Sequence, residues 1–321
     1  MNNPVCVYLG ESLAKYSFGA AHPFGPHRHA AFESEFNRQH LQQQVQVCEP
    51  VSSTAQQIEY FHEPAYVEKV RAMSELGMGY LDAGDTPAFK GMYEAASTVV
   101  GTTLNAIKKV MQGSCQRAFV PIAGLHHARR DGAAGFCIFN DCGVAIEALR
   151  RDYGIKRVAY VDIDAHHGDG VFYSFEDDPD LNFVDFHEDG HFLYPGTGFV
   201  TETGQGAAKG TKLNIPMPMG ATDDDFMRLW DKAEGFIRKA KPEFILLQCG
   251  ADSLGGDPIT HLQYSEKAHA HAAARLCELA DEHCQGRIVA MGGGGYNLDN
   301  LARAWCAVVQ SFMAHTVIHQ A

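Results

Sequence analysis

The chain has 321 residues, 45% of them apolar, and a formal net charge of −13. That length suits one large α/β domain or two small ones, and acidity without a Lys/Arg cluster argues against direct nucleic-acid binding; it is compatible with cationic ligands such as lysine-bearing peptides or polyamines, though on charge alone it reads first as solubility. No stretch approaches the roughly 20 apolar residues of a membrane span, Met1-Asn2-Asn3-Pro4 does not resemble a signal peptide, and nine cysteines without regular spacing suit reduced thiols in a cytoplasm.

In chain order the hydropathy pattern predicts a strand over 5–9, a helix over 30–43, a strand over 45–49 and helices over 64–75 and 90–111. A strand over 117–122, a helix over 141–152, strands over 157–162 and 182–187 and a helix over 223–240 follow. The pattern closes with strand 243–248, helix 265–283, strand 287–291 and helix 298–314. Such alternation predicts an α/β fold, a mostly parallel sheet with helices on both faces. Phe244-Ile245-Leu246-Leu247 is apolar throughout, as a sheet covered on both sides requires. Ser265 is placed to cap the helix it precedes. Four long segments, 77–89, 123–140, 188–211 and 249–264, carry no regular pattern. Loops of this length in a compact domain are usually functional, and three of them follow strands, which gathers them at one sheet edge.

The run Asp162-Ile163-Asp164-Ala165-His166-His167-Gly168-Asp169-Gly170 ends the apolar strand 157–162 in metal-ligand residue types. In extended chain Asp162, Asp164 and His166 share a face. Imidazole plus carboxylate suits zinc, and the carboxyl ends of strands are where open α/β sheets place active sites. A third ligand is supplied best by Asp252, which again follows a buried strand; three ligands leave a coordination position open, as a catalytic zinc requires. His126 and His127 lie in a glycine-flanked loop after another strand. Either would serve as a proton carrier if a carboxylate fixes its tautomer, and Asp162 and Asp169 are the available partners. Gly292-Gly293-Gly294-Gly295 lacks the GK[ST] and GxGxxG contexts of phosphate loops; it reads as a tight bend presenting Tyr296, a phenol able to stabilise an oxyanion. Phe136 and Tyr194 read as two walls of a narrow apolar channel.

These motifs, from His22-Pro23-Phe24-Gly25-Pro26-His27-Arg28 to Tyr296-Asn297, closely resemble the zinc-dependent histone deacetylase family, with its bacterial acetoin-utilisation and acetylpolyamine deacetylase relatives. The resemblance implies the arginase/deacetylase fold around an eight-stranded sheet, with residues 1–321 forming a single deacetylase catalytic domain. It implies zinc, with iron(II) as the alternative, on Asp164, His166 and Asp252. It assigns His127 with Asp169 as general base and acid, His126 with Asp162 as electrostatic partner, and Tyr296 to the acetyl carbonyl. Gly135 would contact the substrate amide, Phe136 and Tyr194 would wall the tunnel, Asp85 would grip substrate backbone at the rim, and Arg28 would line an internal acetate-release pocket. A structural potassium would use Asp162, Asp164, His166, Asp185 and Phe186. Leu125 and Tyr194 depart from the family pattern, which leaves pocket depth and substrate choice open.

The expected function is hydrolysis of the acetyl amide of N6-acetyl-lysine in a protein or peptide. The alternatives are an acetylpolyamine or other small-molecule amidohydrolase, a two-manganese ureohydrolase on the same fold, and a non-catalytic acyl-lysine binding module. The ureohydrolase would need further bridging carboxylates; the binding module would be expected to lack a proton-transfer residue or Tyr296. No membrane partner is expected, and homo-oligomerisation is compatible with this reading.

Overall fold

Apolar runs in this chain become strands wherever they are short and bounded by turns, and all of them enter one sheet. The computed structural model describes residues 5–315. Its strands are β1 (Val5–Tyr8), β2 (Gln46–Cys48), β3 (Arg117–Val120), β4 (Val158–Asp162), β5 (Leu181–Glu188), β6 (Lys212–Met217), β7 (Phe244–Gln248) and β8 (Ile288–Met291). The helices are α1 (Glu11–Ala14), α2 (His27–Arg38), α3 (Ala55–Ile58), α4 (Pro64–Leu76), α5 (Met92–Met111), α6 (Asp141–Tyr153), α7 (Asp169–Ser174), α8 (Asp223–Ala240), α9 (Glu266–His283) and α10 (Leu298–Ala314). The eight strands run in the order β2-β1-β3-β8-β7-β4-β5-β6 and every pair is parallel. On one face α2, α8, α9 and α10 pack together, with α9 on β7 and β8; on the other, α5 covers β3 and β8 and packs on α4 and α6. The covered strands β3, β4, β7 and β8 are buried at every position, which is why they lack polar alternation.

Besides the short helices α1, α3 and α7, which the hydropathy pattern does not show, two longer elements differ from it. The predicted helix over 30–43 is α2, which starts three residues earlier, and a separate 3-10 turn at Leu41–Gln43; His40, at φ 57°, breaks the chain between them. The strand β6 has no signal in hydropathy because Lys212 and Asn214 are buried in it. The Lys212 ammonium is satisfied by the carbonyls of Asp178 and Leu181, both at 2.8 Å, and by the Thr211 hydroxyl. Pro216, unable to donate to a ladder, is tolerated because β6 is an edge strand. The nine cysteines are all free and buried, in keeping with their reading as reduced thiols. Among the described residues no helix is long and apolar enough to cross a membrane.

The parallel sheet puts the carboxyl ends of its four adjacent strands β3, β8, β7 and β4 side by side, and their following loops meet there. Helix α5 must approach the segment 51–53 closely for the second layer to seat. A Cβ on Gly101 would lie 2.3 Å from both the Ser53 nitrogen and the Val51 oxygen. Gly101→Ala gains about 1 kcal/mol of helix propensity and is expected to lose more through overpacking against rigid backbone, for a net destabilisation of about 1–3 kcal/mol. Urea unfolding measures this; an unchanged or raised midpoint would show that the two segments are not in contact.

Candidate active site

Each site residue sits where a strand has just run out. β4 ends at Asp162, and the following turn carries Asp164 and His166; the turn after β7 carries Asp252. The ligand atoms of Asp164, His166 and Asp252 lie within 4.8 Å of one another, all three residues buried. His166 Nδ1 is 3.1 Å from both Asp164 Oδ1 and Asp252 Oδ2. Two carboxylates and an imidazole at this spacing are able to hold a metal ion, with donors that suit zinc. Burial first, and then the Asp164 charge, push Asp252 up to about 7, with His166 pulling the other way. The remaining lone pairs are taken by donors from three other places: Gln248 Nε2 and the Gly294 amide to Asp164 Oδ2, both at 2.8 Å, and the Ala165 amide to Asp252 Oδ1 at 2.8 Å. Such outer contacts fix ligand orientation.

The glycine run after β8 therefore does more than bend. A Cβ on Gly294 would lie 2.1 Å from Asp252 Oδ2, so only glycine lets this amide reach the carboxylates. The run ends at Tyr296, whose own amide donates to Asp257 Oδ2 at 2.8 Å. Burial holds the Tyr296 phenol well above its ordinary pKa, keeping it a neutral donor.

The two histidines differ electrostatically. His126 Nδ1 is 2.8 Å from Asp162 Oδ2, His127 Nδ1 is 2.7 Å from Asp169 Oδ1, and the two Nε2 atoms face one another at 3.0 Å. Burial disfavours charge on His126, yet Asp162 and Asp164 outweigh it and push the ring up to about 10. Burial and the neighbouring His126 charge push His127 down to about 4 against the pull of Asp169. The surroundings thus favour the charged form of His126 and the neutral form of His127. Their loop is pinned by Asp141 at the start of α6, which accepts the amides of Gly124 at 3.0 Å and Leu125 at 2.8 Å and the Thr103 hydroxyl. Asn140 caps the same helix and donates to the carbonyls of His126 and Ala128.

His126, His127, Asp164, His166, Gly135 and Tyr296 line one narrow pocket with room for about one water-sized group, ≈ 20 Å³. Gly135 and Phe136 both adopt positive φ, 53° and 68°. The Phe136 ring lies edge-on to Tyr296 at 6.0 Å, and the Tyr194 ring edge-on to His127 at 5.1 Å, so the two predicted channel walls flank the pocket. Arg28 is buried, with Nε and Nη2 on the carbonyls of Gly295 and Gly293 and its guanidinium 4.0 Å over the Phe24 ring. Asp85 is exposed, on the loop following α4. Asp162 and Asp185 are register partners on β4 and β5. Asp185 is committed to His187 at 2.7 Å and to the Gly168 amide at 2.9 Å, and Phe186 is buried against Trp230. Sequence reasoning missed Gln248, Asp141 and Asp257. Of these, only Gln248 carried a signal, a polar residue ending the apolar strand Phe244–Gln248.

The family model of the histone deacetylase domain matches residues 22–312, and the chain belongs to the histone deacetylase family. It is a deacetylase, a hydrolase of a family in which zinc dependence is general. It is 35% identical over 317 residues to acetoin utilization protein AcuC of Bacillus subtilis (strain 168), covering 96% of this chain and 81% of that protein. It is 33% identical to histone deacetylase 6 of Arabidopsis thaliana, covering 94% of this chain and 65% of that protein. The crystal structure of the HDA15 HD domain shares the fold with a TM-score of 0.89 at 24% identity, covering 98% of this chain and 90% of that one.

Asp141→Ala would leave the buried amides of Gly124 and Leu125 without acceptors. The expected loss is about 3 kcal/mol of stability together with most of the catalytic rate, because the histidine loop loses its anchor. Chemical denaturation and a rate assay on the same preparation check this; a variant as stable and active as the parent would sink the anchoring role.

Proposed function

We propose that this protein, as one catalytic domain over residues 1–321, hydrolyses the acetyl amide of N6-acetyl-lysine in a peptide or protein, with Asp164, His166 and Asp252 holding one zinc ion. The observation that carries the reading is the pair of carboxylate-backed histidines whose Nε2 atoms meet 3.0 Å apart beside a buried Asp-His-Asp cluster. When bound, zinc supplies Lewis-acid polarisation of the amide carbonyl and acidifies water. His127, neutral and oriented by Asp169, takes the proton of the attacking water at Nε2 and returns it to the leaving amine. His126, kept cationic by Asp162 and Asp164, offsets negative charge developing beside it. The Tyr296 hydroxyl donates to the substrate carbonyl oxygen as charge builds on it. Gly135 leaves room for the substrate amide, Phe136 and Tyr194 guide the aliphatic stem, Asp85 accepts from substrate backbone, and Arg28 lines the exit for acetate. A potassium ion on Asp162, Asp164, His166, Asp185 and Phe186 completes the reading.

In support of a peptide over a polycation, most acidic side chains of the segments 77–89 and 188–211 are already engaged by protein donors. Asp82 is consumed by the amides of its own loop. Glu188 is held by His261, Asp189 by His191, and Glu202 by the amides of Gly198 and Phe199 and the Tyr173 hydroxyl. The Asp85 carboxylate alone of these accepts no hydrogen bond among the described residues, with His22 as its electrostatic neighbour, which leaves it as an acceptor for substrate backbone amides.

Chelation should abolish turnover and one equivalent of zinc restore it; Asp252→Ala should purify without metal, since two ligands hold zinc poorly. Full activity in metal-free protein would end this reading. Tyr296→Phe keeps the ring and removes the donor, so kcat should fall by roughly 10²–10³-fold with metal content unchanged; a near-normal kcat would take Tyr296 out of the chemistry. Across a panel of acetyl-lysine peptides and acetylpolyamines, kcat/KM should be highest on a peptide; the reverse order would transfer the proposal to small amines.

A further inference from the structure

The loop between α4 and α5 carries the exposed Asp85, and its conformation is set by a side chain that plays no part in the chemistry above. Asp82 Oδ1 accepts three successive amides, those of Gly84 at 3.0 Å, Asp85 at 2.9 Å and Thr86 at 2.9 Å. Its other oxygen accepts the Thr86 hydroxyl at 2.6 Å. Burial resists the Asp82 charge, but these four donors together hold its pKa below the ordinary carboxylate value. The loop thus folds around a fixed anion, and Asp85, on the same turn, faces solvent.

The network continues beyond the loop. Thr86 is fully buried, and its hydroxyl oxygen, having donated to Asp82, accepts the amide of Phe136 at 3.2 Å. Phe136 is a bulky residue at φ 68°, a conformation that persists only where its surroundings impose it. Its backbone is gripped from both sides: the amide by Thr86 and the carbonyl by the Tyr16 hydroxyl at 2.7 Å, which also accepts the Ile138 amide at 2.9 Å. The rim loop and the tunnel wall, 50 residues apart in sequence, are joined by the Thr86 hydroxyl, and His22, bonded to the Asp85 backbone, packs its ring on Phe136 at 4.6 Å.

We propose that Asp82 and Thr86 are positioning residues that lock the Asp85 loop to the tunnel wall at Phe136, so that the backbone grip and the channel are held in one fixed relation. This rests on the acetyl-lysine reading, because only a substrate with both a side chain in the tunnel and backbone at the rim needs that relation. Asp85 and Phe136 contact substrate in that reading; Asp82 and Thr86 act through them.

The test separates the lock from a general structural role. Thr86→Val keeps the shape of the side chain and removes the hydroxyl; Thr86→Ser restores it. For an acetyl-lysine peptide, Thr86→Val should raise KM about fivefold, the equivalent of one net hydrogen bond, with kcat within about twofold, and Thr86→Ser should return both to parental values. Hydrogen exchange supplies a readout independent of turnover: in Thr86→Val the amides of residues 84–86 and of Phe136 should all exchange faster. Thr86→Ala removes the same hydroxyl without a branched methyl in its place, and should show the same signature should Thr86→Val fold poorly. Unchanged KM, a fall in kcat alone, failure of Thr86→Ser to rescue, or faster exchange at Phe136 without residues 84–86 would each overturn the lock. A wild-type protein inactive on every acetyl-lysine peptide would remove the substrate reading instead, and the exchange experiment would still decide whether the two segments are coupled.

Discussion

Four carboxylates, those of Asp162, Asp164, Asp185 and Asp252, are buried to 1% exposure or less at one end of the sheet, and the rest of the site depends on making that tolerable. Isolated charges in such surroundings are prohibitively costly, so each needs a counter-charge or several donors. The protein supplies His126 and His187 as counter-charges and Gln248, Tyr160 and backbone amides as donors. Two carboxylates and an imidazole are left converging on one point, which is the donor set a divalent cation satisfies.

The same crowding sorts the histidines. Adjacent in sequence and equally enclosed, His126 and His127 are pushed in opposite directions because His126 faces two aspartates while His127 faces His126. One fold thereby biases two identical side chains in opposite directions, one toward charge and one toward accepting a proton, and the distinction needs no difference in burial. The parallel topology makes this possible: only with β3, β8, β7 and β4 as neighbours do their four loops deliver histidines, tyrosine and metal-binding side chains into one pocket.

Much of this was legible in the chain. The seven strands read from hydropathy all exist, because buried strands are apolar and bounded by turns. The residues named from the DxDxHHGDG run, the paired histidines and the glycine run all come together around the pocket. What stayed hidden was polar burial. β6 was unreadable because Lys212 finds its partners in the Asp178 and Leu181 carbonyls, 34 and 31 residues away. Asp82, Asp141 and Asp257 carry no local signal, because nothing in the neighbouring residues distinguishes an acid that solvates backbone amides from one that faces solvent.

The sequence by itself determined the chemistry available: which residues end the strands, that their side chains alternate onto one face, and that ligands, bases and a phenol lie within a few residues of those ends. Those are local properties, fixed by backbone geometry and residue type. Only the tertiary structure decided the partners: His126 with Asp162 across 36 residues, His127 with Asp169 across 42, Arg28 with Gly295 across 267. It also decided which carboxylates are spent internally and which remain for a ligand. A hydrogen bond between distant segments depends on the register of the sheet and the packing of its loops, and no local pattern carries that information.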